Sequence, residues 1–83
     1  MREIRWTATA QRQIRKLPKD VQSAIFVAVG FLENFPDCRG DIKKLQGRQG
    51  FRLRVGRYRV LFDENGHILE VQEVKKRDDN TYR

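Results

Sequence analysis

The sequence predicts an α+β fold, with an antiparallel sheet and a helical hairpin packed on one face in the order β-α-α-β-β-β. Three observations carry this prediction. Residues 51–62, "FRLRVGRYRVLF", alternate apolar with mostly basic positions on either side of a glycine. Residues 8–34 hold two consecutive stretches with apolar residues at helical spacing. Residues 2–7, "REIRWT", alternate as a short strand does, with Ile4 and Trp6 on one side. A chain of 83 residues has room for one domain and one modest core, so residues 1–83 are read as a single domain.

The elements follow in order. After the strand at 2–7, Thr7 or Thr9 can cap a helix by accepting a backbone N–H. That helix, residues 8–17, places Ala10, Ile14 and Leu17 on one side and Arg12, Arg15 and Lys16 around them. Pro18 ends it or opens the next, since proline suits a first helical turn. The second helix, residues 19–34, carries Val21, Ala24, Ile25, Ala28, Val29 and Leu32, and Phe26, Val27 and Phe31 widen its apolar side. Pro36 and Gly40 break the pattern, and "IKKLQGRQG" leads in with glycines at 47 and 50.

Gly56-Arg57 then makes a two-residue turn, because glycine at the first central position suits a type II′ turn. The register this imposes pairs Val55 with Tyr58, Arg54 with Arg59, Leu53 with Val60, Arg52 with Leu61 and Phe51 with Phe62. Side chains alternate between faces of a strand. One face therefore carries Phe51, Leu53, Val55, Tyr58, Val60 and Phe62, a core, and the other carries Arg52, Arg54, Arg59 and Leu61. Asn65-Gly66, a strong hairpin signal, links to a last strand at "ILEVQEV", residues 68–74. Leu69 and Val71 continue the core face. Val74 is out of phase with them, which predicts a bulge or the end of the strand.

Charge is concentrated. The formal net charge is +7, and residues 39–59 hold eight basic groups against one acid, Asp41. Arg54 faces Arg59 directly, and like charges at that spacing cost a few tenths of a kcal/mol, up to about 1. A face that accepts this cost is a candidate anion site, the alternative being a solvated surface that keeps a small protein soluble. There is no apolar run long enough to span a bilayer, no secretory signal, and one cysteine, Cys38, so a reducing cytoplasm is expected. His67 and Cys38 are each alone, so no metal site, cofactor motif or hydrolase triad is expected.

What remains is chemistry that arginines can support. In RNA cleavage the 2′-oxygen loses its proton and attacks the adjacent phosphorus, and the leaving 5′-oxygen gains a proton. Fixed guanidinium groups stabilise the negative charge that builds on the phosphorane. They exchange protons poorly because arginine stays charged. Residues 75–77 are expected to leave the sheet beside the hairpin as the start of a polar tail, which lets Arg77 and Tyr82 reach the same face, and Tyr82 is the best acid–base candidate if the surrounding positive charge lowers its pKa.

The segments "KLQG…FRLRVGRYRVLF…EVKKRDDNTY" resemble the RelE/ParE superfamily of bacterial toxins from type II toxin–antitoxin systems, over almost the whole chain. The resemblance implies an antitoxin partner. For RelE-type members it also implies ribosome-dependent cleavage of mRNA in the A site. Carried over residue by residue, the catalytic set is Arg52, Arg54, Arg59, Arg77 and Tyr82. Lys43, Lys44, Arg48, Arg57, Lys75 and Lys76 are then expected to contact mRNA or ribosomal RNA. RelE itself has lysines where Arg52 and Arg54 stand, which removes a titratable group from both positions. ParE-type members share arginine-bearing hairpins, inhibit DNA gyrase and cleave nothing. Gyrase inhibition and plain RNA binding therefore stay open beside cleavage. Arg59 paired with a tail carboxylate such as Asp78, and Tyr82 packing the tail, are the corresponding structural roles.

Overall fold

The computed structural model describes residues 1–76. The chain runs β1 (Glu3–Trp6), α1 (Ala8–Arg15), α2 (Lys19–Gly30), a single 3₁₀ turn (Phe31–Asn34), β2 (Asp41–Lys44), β3 (Phe51–Val55), β4 (Tyr58–Asn65) and β5 (Ile68–Lys76). The five strands form one sheet in the order β1-β5-β4-β3-β2. The two helices cover one face of it.

The sheet differs from the sequence reading in one strand's direction and in strand number. The sheet is mixed, because β1 runs parallel to β5 while the other pairs are antiparallel. Short turns force antiparallel pairing only between strands they connect. β1 is joined to the rest through the helices, so no turn sets its direction. It fills the open edge of β5 in the register that pairs Ile4 with Leu69 and Trp6 with Val71, apolar against apolar. There is also an extra strand. β2 is four residues long with one apolar position, Ile42, too short to show a period of two. It pairs with β3, and Leu45 N donates to Gly50 O at 2.9 Å to close the loop between them.

The helices bury Ala10, Ile14, Ile25, Val29 and Leu32 against Leu53, Val60, Phe62, Leu69, Val71 and Val74. Thr7 is the cap of α1: its hydroxyl accepts from Ala10 N at 3.1 Å and donates to Gln72 O at 3.0 Å. α2 ends at Gly30, short of the expected residue 34, and the backbone tightens into the 3₁₀ turn. Phe26, Val27 and Phe31 do not join the core. They are exposed, although Phe26 packs on Trp6 with ring centroids 5.3 Å apart. Phe35, Phe51 and Phe62 close one end of the core at centroid distances of 5.1–5.4 Å.

The β3–β4 hairpin has the register its sequence dictates, pair for pair, with Gly56 at φ 57°. The next turn is centred one residue later than Asn65-Gly66 suggests, because Asn65 pairs with Ile68 and Gly66, at φ 60°, takes the first central position. The phase problem at Val74 is solved by a bulge. Leu61 pairs with Glu73 and Phe62 with Val71, which leaves Gln72 as the extra residue. Val74 thereby returns to the core face opposite Val60 and is buried. α1 satisfies the disturbed backbone there: Thr7 takes the Gln72 carbonyl, and Gln13 Oε1 accepts from Val74 N at 2.6 Å. The strand runs on to Lys76, so Lys75 and Lys76 belong to the sheet and not to a tail.

Candidate nucleic-acid interface

The register places the charged side chains. Arg52 and Arg54 flank Leu53, which is fully buried against the helices, so both arginines point to the opposite, helix-free face. Directly opposed residues in a sheet share a face, and two rows run across four strands. Asp41, Arg54, Arg59 and Lys75 form one row, and Lys43, Arg52, Leu61 and Glu73 form the other. With strands about 4.8 Å apart, each row spans roughly 14 Å. Five cations and two carboxylates thus share one flat surface, with Leu61 buried among them.

The two carboxylates are spoken for. Glu73 Oε1 lies 3.3 Å from Lys75 Nζ. Asp41 divides its oxygens, Oδ1 at 3.5 Å from Arg52 Nη1 and Oδ2 at 3.7 Å from Arg54 Nη1. Arg52 Nη1 also donates to the Asp41 carbonyl at 3.5 Å. These distances exceed the about 2.7–2.9 Å of a direct charge-assisted bond. Pairs of this kind at a surface contribute little to stability, about 0–1 kcal/mol. The Arg52 side chain is nonetheless only 14% exposed, so its stem lies against the sheet and its orientation is restricted. Arg54 Nε is buried without a hydrogen-bond partner among the described residues. Arg59 is exposed, and no carboxylate among the described residues pairs with it.

The structure brings together Arg52, Arg54 and Arg59 from the expected catalytic set, with Lys43 and Lys75 from the expected RNA-contacting set. Lys44 and Lys76 fall on the other side of their strands, opposite Phe51 and Tyr58. Arg48 and Arg57 are exposed in turns at the ends of β3. Arg77 and Tyr82 lie outside the described residues. Asp41 was visible in the sequence only as the single acid in a basic stretch. Its link to the arginines depends on the register of β2, which the sequence did not reveal. Cys38 is half-buried against the core, and burial, reinforced by Asp37, pushes its thiol pKa up, the opposite of what a nucleophile needs. No three residues of metal-binding type cluster among the described residues, and no described helix is long and apolar enough to cross a membrane.

A family model described as the ParE toxin of type II toxin–antitoxin systems, parDE, matches residues 4–81. The chain belongs to this toxin family. Solved structures agree on the fold. A chain of the RelB–RelE antitoxin–toxin complex from Methanococcus jannaschii superposes with a TM-score of 0.76 at 23% identity, over 95% of this chain and 98% of that one. The archaeal RelE–RelB complex from Pyrococcus horikoshii gives 0.78 at 22% identity, over 94% and 97%. The RelBE2 toxin–antitoxin complex from Mycobacterium tuberculosis gives 0.74 at 28% identity, over 92% and 98%. No curated protein matches the chain in sequence. The toxin is therefore a member of the RelE/ParE superfamily, and its structural neighbours include RelE toxins.

Proposed function

We propose that this toxin is a ribosome-dependent endoribonuclease that cleaves mRNA in the A site and so stops translation. The observation that carries the reading is the meeting of Arg52, Arg54 and Arg59 on the sheet face opposite the helices, with Lys43 and Lys75 at its sides. Three guanidinium groups within two strands suit the phosphorane formed when a 2′-oxygen attacks phosphorus. The attack closes a 2′,3′-cyclic phosphate and expels the 5′-oxygen, which takes up a proton. Arg59 and Arg54 stabilise the developing charge, Arg52 holds the neighbouring phosphate, and Lys43 and Lys75 steer the strand. Arg77 and Tyr82 complete the proposed set, Tyr82 as the proton-transfer group. With no histidine on this face and arginine unable to titrate, alignment must supply much of the rate, and orientation is worth roughly 7–11 kcal/mol. The ribosome is the scaffold that provides it.

The test uses one labelled mRNA, free and bound in a programmed ribosome. Cleavage of the bound message at least a hundredfold faster supports the reading, and equal rates defeat the scaffold idea. A second reading, inhibition of DNA gyrase without cleavage, is favoured by the parDE description of the matching family. No cleavage in either setting, together with loss of gyrase supercoiling, selects it.

The partner that restrains the toxin is a cognate antitoxin, as in the complexes from Methanococcus jannaschii and Mycobacterium tuberculosis. Eight basic groups to one acid in residues 39–59 suit an acidic segment. Its association rate should fall steeply as salt rises from about 0.05 to 0.5 M. A rate indifferent to salt removes charge steering.

A further inference from the structure

We propose that Asp41 is a positioning residue for the Arg52–Arg54 pair. This rests on the nuclease reading for its consequence, though not for its geometry. Two arginines two residues apart on a strand, with a third directly across, repel one another and would splay toward solvent. Asp41 stands at the head of their row, on the edge strand, opposite Arg54. One oxygen addresses each guanidinium through its Nη1 atom, at 3.5 and 3.7 Å. The Asp41 carbonyl adds a second contact to Arg52 Nη1 at 3.5 Å. The remaining Nη2 atom of each arginine is not used by these contacts, so a phosphate can be taken without breaking the clamp.

The carboxylate has a cost for binding. It removes one unit of positive charge from the face that must attract RNA. If its only effect were on net charge, its loss would improve every step. If it holds the arginines in the orientation that the phosphorane needs, its loss improves binding and harms turnover. These opposite signs separate positioning from bulk electrostatics. A proton-transfer role for Asp41 is a third possibility that the pH profile separates.

The experiment compares wild type with Asp41→Asn, which keeps the size of the side chain, and Asp41→Glu, which keeps the charge and displaces it. Unchanged melting temperatures qualify the variants, since Asp41 is exposed on an edge strand. Asp41→Asn should bind single-stranded RNA severalfold more tightly. The slope of log affinity against log salt should steepen by up to about 0.7. On programmed ribosomes its KM should fall while kcat drops about tenfold or more, since small misplacements cost that much. The drop should be parallel at every pH. Asp41→Glu should keep wild-type RNA affinity and recover part of kcat.

Nε–Hε NMR spectra of the free protein provide a readout independent of cleavage. Arg52 and Arg54 should become more mobile in Asp41→Asn, and Arg59 should not. The proposal is overturned if Asp41→Asn turns over at or above the wild-type rate. It is likewise overturned if the spectra leave Arg52 and Arg54 as rigid as before. Loss of the acidic limb of the pH profile would make Asp41 a base and not a positioning group. Wild-type protein that never cuts on the ribosome defeats the nuclease reading alone, and the NMR arm still decides whether Asp41 fixes the pair.

Discussion

Leu53 and Arg54 are adjacent in the chain, yet they serve opposite faces of one sheet under different rules. Leu53, Val60 and Phe62 are fully buried beneath the helices, where close packing decides which residues fit. Arg52, Arg54 and Arg59 stand on the other face, where the Nε of Arg54 is buried without a partner among the described residues. The covered face is good at holding the backbone still. The opposite face uses that rigidity to hold Arg54 and Arg59 directly across from each other. The 12 residues of the hairpin thus carry both halves of the arrangement, core on one face and three arginines on the other.

The largest expected effect comes from breaking the covered face. Phe62 is fully buried between Phe35 and Phe51. Phe62→Ala should cost about 3–5 kcal/mol. A domain of this size holds only about 5–10 kcal/mol in total. Urea or thermal unfolding should show a protein near the edge of folding at 37 °C. A loss under about 1 kcal/mol would mean that the aromatic cluster does not hold this end of the core.

Breaking the uncovered face should leave the fold untouched. Arg59→Ala removes an exposed side chain directly opposite Arg54. Its melting temperature should stay within a degree or two. Cleavage on ribosomes should fall on the order of 10²–10³-fold, the usual cost of one preorganised charge contact. Growth inhibition should disappear with it. A folded Arg59→Ala protein that is fully toxic removes Arg59 from the mechanism.

The two faces were not equally legible in the sequence. The β3–β4 hairpin could be read to the exact pair, because alternation in "FRLRV" and "YRVLF" and a glycine at 56 leave one register that puts Phe51, Leu53, Val55, Tyr58, Val60 and Phe62 on one face, with Leu61 alone among the arginines. Val74, out of phase, pointed to a bulge or the end of the strand, and the bulge is what stands there, with the strand running on to Lys76. The parallel direction of β1 could not be read, since alternation tells which side chains turn inward and not which way the strand runs. β2 could not be read either, with Ile42 its only apolar residue. The Asp41 clamp was hidden for the same reason, since an ion pair across an edge strand depends on a register no hydrophobic pattern specifies. Phe26, Val27 and Phe31 misled in the other direction. Their apolarity suggested core, but a helix lying on a sheet can bury only one side, and Ile25, Val29 and Leu32 occupy it.

The bulge is where the two faces are kept in phase, and a smaller effect is expected there. Gln13 Oε1 accepts from Val74 N at 2.6 Å. Gln13→Ala leaves that partly buried donor without a partner, at a cost of about 1–3 kcal/mol. Hydrogen exchange at the Val74 amide should accelerate in step with the loss of stability. An amide as protected as in wild type would show that the sheet can satisfy the bulge without α1.

The smallest expected effect separates the faces most finely. Lys43 and Lys44 are sequence neighbours on β2, equal in charge and both exposed. Lys43 pairs with Arg52 on the arginine face, whereas Lys44 pairs with Phe51 on the other. Composition and net charge treat them as the same residue, so any difference between them reports the face alone. In fluorescence titrations with single-stranded RNA, Lys43→Ala should lower the slope of log affinity against log salt by about 0.7, the value for one phosphate contact on a single strand. Lys44→Ala should leave that slope unchanged and weaken binding only slightly through long-range charge, an effect that vanishes near 0.5 M salt, where the Debye length is only about 4 Å. Neither substitution should move the melting temperature, because edge-strand lysines bury little. Equal slopes in the two variants would mean that RNA does not distinguish the faces, and the proposal that RNA binds the helix-free surface would fall.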